Sequence, residues 1–330
     1  KTYKDELQGF DIIVRSPGVK LSLSEREELK KHKTLITSQT QLFLEWCPSR
    51  VIGVTGTKGK GTTSSLIYEM LKESGLDSYL GGNIGVPPFT FLDSLEKTSV
   101  VVLELSSFQL EDVTISPHIA VILMIVPDHL HYHSDMSEYV EAKRNILRYQ
   151  TSEDFAVINR DYPPSNESDI YTDAKVFHVT RERSTTEQGS FIKENAIWLR
   201  VRDAEWKIVD IASIALIGKH NVENVAAAAM AATLAVASKA EIVTVCKTFT
   251  GLPHRLQKVG EVAGVRYYDD SIATNPESAI AAIEAFSDPK IVIVGGVTEG
   301  SDFTELGKVI ANDRTIKAII GIGTEWQAIR

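Results

Sequence analysis

Cysteine is nearly missing: the 330-residue chain has two, Cys47 and Cys246, far apart and in no metal-ligand spacing. That suits a reduced compartment better than a disulfide scaffold. No apolar run approaches the roughly 18 to 20 residues that span a bilayer, and no signal-peptide pattern opens the sequence. An excess of positive charge is lacking too. Its 35 basic and 44 acidic residues leave a formal net charge of −9, a field that repels a polyphosphate backbone. There is no biased tract and no internal repeat, and 43% hydrophobic with 24% charged residues exclude a disordered or collagen-like chain. The expectation is a cytoplasmic protein of two or three globular domains, with no nucleic-acid or membrane partner.

What is present is an alternation of apolar β-rich runs with helical patterns, the mark of a parallel α/β sheet. Strands are expected at Asp11–Val14, Val51–Thr55, Val100–Leu105, Ile119–Ile125, Phe155–Asn159 and Ile291–Val294, with a further strand-like run at Lys317–Gly323. Helices are expected at Thr62–Ser74, from Asn221 to about Ala235, and at Pro276–Phe286. The second is so rich in alanine that it must pack closely, and the third carries proline in its first turn, where the missing N–H costs nothing. Composition shifts near Trp46–Ser49 and Thr250–Pro253 mark boundaries. The polar stretch from Tyr162 to Glu205 reads as short strands and exposed loops.

The strongest local signal is Gly53-Val54-Thr55-Gly56-Thr57-Lys58-Gly59-Lys60-Gly61-Thr62-Thr63. A buried strand enters a glycine-rich turn, then a lysine, then hydroxyls that open a helix. Such glycines leave backbone N–H groups free to cradle phosphate, and the helix N-terminus adds a favourable dipole. Lys60 belongs on the β- and γ-phosphates, and a hydroxyl helps hold Mg²⁺. Gly61 stands where Ser or Thr is usual, so Thr62 is the candidate for that hydroxyl.

The Thr55–Lys60 segment resembles the phosphate loop of the Mur ligases, the ATP-dependent amide ligases of peptidoglycan assembly, whose superfamily includes folylpolyglutamate synthases. Leu103-Glu104-Leu105-Ser106-Ser107-Phe108-Gln109-Leu110-Glu111 is similar to the signature of the D-glutamate-adding members. Further matches follow in order at Ser16–Gly18, Gly82–Gly85, Asp128-His129, Tyr139–Lys143, Gly218–Asn224, Pro253–Arg255 and Asp270–Asn275. The resemblance implies an α/β fold: a central parallel-sheet P-loop ATPase domain at 48–250, with partial Rossmann-like domains on either side. Residues 1–47 resemble the last part of the UDP-binding domain and 251–330 the first part of the C-terminal domain, so the chain is expected to be truncated at both ends. The implied activity is ATP-dependent addition of D-glutamate to UDP-N-acetylmuramoyl-L-alanine through an acyl phosphate, by a monomer using ATP and two Mg²⁺.

Site residues follow on two footings. Glu104 closes an apolar strand at its carboxyl end, where α/β sites form; the resemblance makes it a Mg²⁺ ligand. His129, His131 and His133 alternate and invite a zinc reading, but no thiolate or fourth ligand is evident. The resemblance assigns only His129 to Mg²⁺, leaving the other two as polar loop residues. Lys143 reads by itself as a solvated helix lysine; the resemblance implies a carbamylated metal ligand. Asn221 reads as an N-cap and Asn224 as an exposed amide; the resemblance places both at adenine. It further implies that Gly56, Thr57, Lys58, Gly59, Lys60, Gly61 and Thr62 hold the phosphates, that Arg255 meets the γ-phosphate, and that Asp270 meets the ribose. Gly18, Asn83, Ser106, Ser107, Gln109 and Thr274 would contact substrate.

Two departures bear on the acceptor. Ile272 and Glu299 occupy places where the family carries lysines, a change expected to weaken recognition of an anionic acceptor by roughly 1 to 3 kcal/mol. The alternatives are a related ligase adding another amino acid, and a nucleotide-binding protein without ligase activity.

Overall fold

The computed structural model describes residues 7, 9–84, 86–129, 132–181, 187–273, 275–296, 302–323 and 326. They form two compact units, Lys1–Ile214 with Glu223–Lys247, and Ala215–Val222 with Thr248–Arg330.

The first unit opens with β1 (Ile12–Arg15), α1 (Leu23–Lys31), β2 (Leu35–Ser38) and α2 (Gln39–Trp46), β1 and β2 pairing in parallel. Next come β3 (Arg50–Thr55), α3 (Lys60–Glu73), β4 (Ser78–Gly82), β5 (Val100–Glu104), α4 (Ser107–Leu110), β6 (Ile119–Ile122), α5 (Met136–Arg148) and β7 (Phe155–Asn159). The unit continues through α6 (Pro163–Asn166), β8 (Lys175–Val179), β9 (Gly189–Lys193), β10 (Ala196–Val201) and β11 (Ala204–Asp210), and takes in α7 (Asn221–Leu234) from Glu223 and α8 (Lys239–Thr248) up to Lys247.

Nine of these strands make one sheet in the order β11-β10-β9-β8-β7-β6-β3-β5-β4. It is parallel from β4 to β9 and antiparallel beyond. Strand β3 carries β5 on one side and β6 on the other. Strands are therefore added to either side of β3, and at such a switch point a crevice opens at the carboxyl ends of these three parallel strands. The buried Val51, Ile52 and Val54 of β3 are the continuous apolar run that a strand covered on both faces needs. Gly53 is required by packing: a Cβ there would lie 2.8 Å from Pro117 Cγ and 3.1 Å from Ile146 Cδ1 of α5. Ala226 to Ala229 of α7 are all buried, so small residues let that helix approach closely. Phe43 of α2 meets Phe89 and Phe91 edge-on, with centroids 6.0 and 5.9 Å apart, which docks the opening segment onto the sheet domain.

In the second unit, β12 (Gln257–Val262) and β13 (Val265–Asp269) form a hairpin. Its turn residues Ala263 and Gly264 both have positive φ, +50° and +78°, the backbone that matches strand twist in a two-residue loop. Then come α9 (Pro276–Glu284), capped by Asn275, β14 (Lys290–Gly295), α10 (Thr304–Asn312) and β15 (Ile316–Ile322), with β14 and β15 parallel.

Three sequence expectations shift. The strand expected to run to Ile125 stops at Ile122, because later backbone groups bond outside the sheet: Met124 O accepts from Thr57 N of the glycine loop, and Ile125 N donates to Ser165 Oγ of α6. The helix expected from Thr62 begins at Lys60. The stretch from 162 to 205 is less exposed than its polarity suggests, since Phe191, Ala196, Ile197 and Leu199 are fully buried. No helix among the described residues is long and apolar enough to cross a membrane.

Candidate active site

The loop from Gly56 to Gly59 leaves the carboxyl end of β3 and turns into α3. Gly59 is the N-cap at φ +86°, a left-handed conformation that glycine adopts without strain. Its place is also crowded: a Cβ would lie 2.3 Å from Asn224 Oδ1 of α7. Helical bonding starts with Thr63 N donating to Gly59 O at 2.9 Å. The N–H groups of Lys60, Gly61 and Thr62 thus lie in the first turn, where no intrahelical acceptor exists and an anion is favoured. Thr57 anchors the loop instead. Its N–H donates to Met124 O at 2.7 Å, and its hydroxyl lies 2.9 Å from Val126 O and 3.0 Å from Tyr139 OH.

Two lysines converge on this loop. Lys60 Nζ donates to Gly56 O at 3.1 Å and Thr57 O at 2.9 Å, and Lys143 Nζ donates to the same Gly56 O at 2.8 Å. Lys143 is only 1% exposed, so its reading as a solvated lysine is wrong. The residue lies on the inward face of α5, its Nζ 4.5 Å from the Tyr139 ring centroid. Burial first, and then the Lys60 charge, pull its amine well below the ordinary lysine range; Asp128 and Glu104 oppose this more weakly.

Glu104 ends β5 beside β3 and is buried. Asn83 holds it twice, donating Nδ2 to Oε1 at 3.0 Å and its backbone N to Glu104 O at 2.9 Å. His129 has φ +54°, and its N–H donates to Asp128 Oδ1 at 2.8 Å. Its partly exposed ring sits 5.1 Å from that of Phe108. His131 lies outside the described residues. His133 does not behave as a polar loop residue: it is 1% exposed, places Nε2 3.0 Å from Ser107 Oγ and stacks on Phe108. Burial keeps its pKa below the usual histidine value. Ser107 is accordingly buried, while Ser106 and Gln109 form a capping box at α4, with Ser106 N donating to Gln109 Oε1 at 2.9 Å. Gln109 also lines a cavity of about 130 Å³ with Gln39, Thr40, Phe43, Gly82 and Leu105. Gly18 lies in the turn after β1, and nothing within 4 Å would meet a Cβ there.

Asn224 is buried against Gly59 rather than exposed, and Thr63 Oγ1 lies 3.4 Å from its Oδ1. The neighbouring Glu223 was not foreseen. It accepts from Asn159 Nδ2 at 2.7 Å and forms an ion pair with Arg181, whose Nε lies 3.0 Å from Oε1, while burial raises its pKa. An acidic residue just ahead of an alanine run was the available signal.

The second unit holds Asn221, Arg255 and Asp270. Asn221 Nδ2 donates to Ile217 O at 2.6 Å. Asp270 accepts from Leu256 N at 2.9 Å; burial raises its pKa, against the nearby Arg255 charge. Arg255 is exposed, as is Ile272 at 47%. Thr274 and Glu299 lie outside the described residues.

Among the described residues there is no cluster of three or more His, Cys, Asp or Glu that could hold a metal. Magnesium seldom needs one, since it takes one or two carboxylates and completes its shell with phosphate oxygens and water. Glu104 beside a phosphate cradle fits that donor set.

A strand, a glycine turn, a helix-start lysine and a carboxylate on the adjacent strand together define a P-loop-type nucleotide domain. The chain belongs to the Mur ligase family: the profile of the Mur ligase middle domain matches residues 54–232, and that of the Mur ligase, glutamate ligase domain matches residues 254–328. It is 41% identical over 321 residues to the UDP-N-acetylmuramoylalanine--D-glutamate ligase of Acetivibrio thermocellus, covering 97% of this chain and 68% of the relative. A Clostridium botulinum protein of the same name is 35% identical over 332 residues, covering 100% of this chain and 70% of the relative. The chain thus spans about two thirds of the length of these relatives. Among solved structures it shares its fold with MurF from Acinetobacter baumannii (TM-score 0.68, 18% identity, 96% of this chain and 81% of that one). MurF from Thermotoga maritima in complex with ADP is similar too (TM-score 0.65, 18% identity, 98% and 87%).

Proposed function

We propose that this chain is the catalytic body of an ATP-dependent, ADP-forming ligase that joins D-glutamate to UDP-N-acetylmuramoyl-L-alanine. The observation that carries the reading is the meeting of Lys60, Lys143 and Glu104 at the carboxyl ends of β3 and β5, at the first turn of α3. The names of the curated relatives support the substrates. In domain terms, 1–47 is the end of a UDP-binding domain, 48–250 the ATPase domain and 251–330 the start of the C-terminal domain. The protein works as a monomer in the cytoplasm.

In the first step a carboxylate oxygen of the nucleotide substrate attacks the γ-phosphorus, and ADP leaves. In the second the amine of the amino acid attacks the acyl carbon, loses a proton and displaces phosphate. Catalysis here is positioning and charge neutralisation. The first-turn N–H groups of α3 hold phosphate oxygens, and Lys60 exchanges its loop carbonyls for them. Arg255 adds charge at the γ-phosphate, Asp270 takes the ribose, and Asn221 with Asn224 takes the base. Gly18, Asn83, Ser106, Ser107, Gln109 and Thr274 orient the acid and acceptor substrates. Two magnesium ions, when bound, neutralise phosphate charge, and Thr62, Glu104, His129 and a Lys143 carbamate are the residues to hold them. Burial lowers the pKa of this amine and so favours its neutral form, the one nucleophilic toward CO₂; the new N–C bond releases one proton and leaves an anion suited to a cation.

Ile272, apolar and half exposed, favours a second reading in which the acceptor is another amino acid. Phosphate release from MgATP and UDP-N-acetylmuramoyl-L-alanine, measured on the complete polypeptide, separates the cases. Dependence on D-glutamate is expected. Dependence on another amino acid instead would establish the second reading, and ATP binding without phosphate release whatever amino acid is supplied would reduce the protein to nucleotide binding.

A further inference from the structure

Arg15, the last residue of β1, is 3% exposed, yet carries a full charge into the interior of the first unit. Its guanidinium reaches three separate segments. Nη1 donates to Pro17 O at 3.1 Å and Val19 O at 2.8 Å, on either side of Gly18. Nη2 donates to Phe108 O at 3.0 Å, between Ser107 and Gln109. Nη1 also donates to Tyr132 OH at 3.3 Å, three residues beyond His129, and Nε pairs with Asp112.

The surroundings close the network. Arg26 donates to Asp112 Oδ1 at 2.7 Å and Glu111 Oε1 at 2.9 Å, so two cations face two anions. Tyr132 OH donates to Glu111 Oε2 at 2.9 Å, and burial together with Glu111 pushes its pKa up to about 12. Lys20 ties the same loop again, donating to Tyr132 O at 2.7 Å and Glu138 Oε1 at 2.6 Å. The ring of Phe108 fills the centre, 5.1 Å from His129, 4.5 Å from Tyr132 and 5.6 Å from His133.

Buried ion pairs add little net stability, because desolvation offsets their attraction; register is their best-attested use. A planar fork spreads five donors over three nitrogens and so reaches acceptors on separate segments at once, whereas a lysine has three donors on a single atom. We infer that Arg15 is a positioning residue: by gripping the Ser16–Gly18 turn, the start of α4 and the loop after His129, it sets the nucleotide-sugar contacts in register with the histidine at the phosphates. The inference rests on the function proposed above. It assigns Arg15, Tyr132 and Lys20 to substrate alignment although none of them need touch substrate.

The test uses the complete polypeptide with two variants that spare the packing. Arg15→Lys keeps the charge opposite Asp112 but loses the fork, and Tyr132→Phe removes one hydroxyl. Steady-state kinetics and calorimetry give KM, kcat and Kd for UDP-N-acetylmuramoyl-L-alanine and for ATP, with Tm recorded alongside. A displacement of reacting groups by an ångström costs up to about a hundredfold, so Arg15→Lys is expected to raise KM and Kd for the nucleotide sugar about tenfold, leaving those for ATP within about twofold. Tyr132→Phe shifts the same constants in the same direction, by less. Constants for both ligands at wild-type values, with lost rate matching lost folded protein, would reduce the network to a structural role and overturn the inference; so would equal weakening of both ligands. Wild-type enzyme that binds the nucleotide sugar but shows no D-glutamate-dependent turnover refutes the proposed acceptor instead, and the Kd comparison still decides Arg15.

Discussion

Replacing Lys143 with methionine separates a buried neutral amine from a buried charge. The side chains are of similar length, and the lost contact is one hydrogen bond to Gly56 O, which keeps Lys60 as a donor. Such a neutral bond is worth about 1 kcal/mol. Against it stands the cost of bringing an ammonium into a site where burial, then Lys60, depress its pKa. The sign runs one way. Between the depressed folded pKa and the ordinary unfolded value, the unfolded chain binds the extra proton, so wild-type stability rises with pH by up to about 1.4 kcal/mol per unit. Below the folded pKa both states are protonated and the full penalty applies; above the unfolded value it is gone. Lys143→Met is therefore expected to be more stable than wild type near neutral pH and less stable, by about 1 kcal/mol, near pH 11. Urea unfolding in CO₂-free buffer with chelator reads this, because Trp46, Trp198 and Trp206 all lie in the first unit. Groups common to both proteins cancel in the difference. A stability difference that stays constant across pH, or a uniform loss of about 3 kcal/mol as expected when one partner of a buried pair is removed, would refute the reasoning.

Three further outcomes are expected. Gly59→Ala forces a Cβ into the left-handed region and to 2.3 Å from Asn224 Oδ1; the backbone term alone is about 1 to 2 kcal/mol, and ADP affinity by calorimetry should fall at least tenfold. Glu104→Gln keeps an acceptor for Asn83 Nδ2, so Tm should hardly move, whereas Mg²⁺-dependent phosphate release should drop about a hundredfold or more; an unchanged rate would remove Glu104 from the metal site. Cys246 is 1% exposed, and burial pushes its thiol up to about 12. At pH 8 a thiol reagent should label it only on unfolding, after the partly exposed Cys47.

The central sheet was legible because its parallel strands are covered on both faces and read as unbroken apolar runs: Val51–Val54, Val100–Leu103 and Ile119–Ile122 all fall inside expected strands. The phosphate loop was legible because glycines and a lysine at fixed offsets have few other uses. Strands β9 to β11 were not placed individually, since a half-covered antiparallel edge alternates polar with apolar residues and resembles loop. The environment of Lys143 escaped for another reason: a lone lysine in an amphipathic helix gives no local sign of which face it occupies, and only the packing of α5 under β3 decides it. Glu223, His133 and Arg15 escaped likewise, because a buried charge or imidazole is recognised by partners that lie 26 to 97 residues away. The resemblance assigned roles near these residues without indicating how they are held.

The contact of Gly59 with Asn224 joins the first turn of α3 to a helix that follows far later, the Thr63–Asn224 bond spanning 161 residues. A phosphate cradle that looks local in sequence is thus completed by one of the last elements of its own unit. During synthesis the loop exists from its first residues, but its far wall is absent until α7 has been made and has docked, a closure whose entropy must be met by the whole sheet between them. Nucleotide affinity is consequently a report on finished folding: fragments ending before α7 should contain every glycine of the motif and still bind no nucleotide.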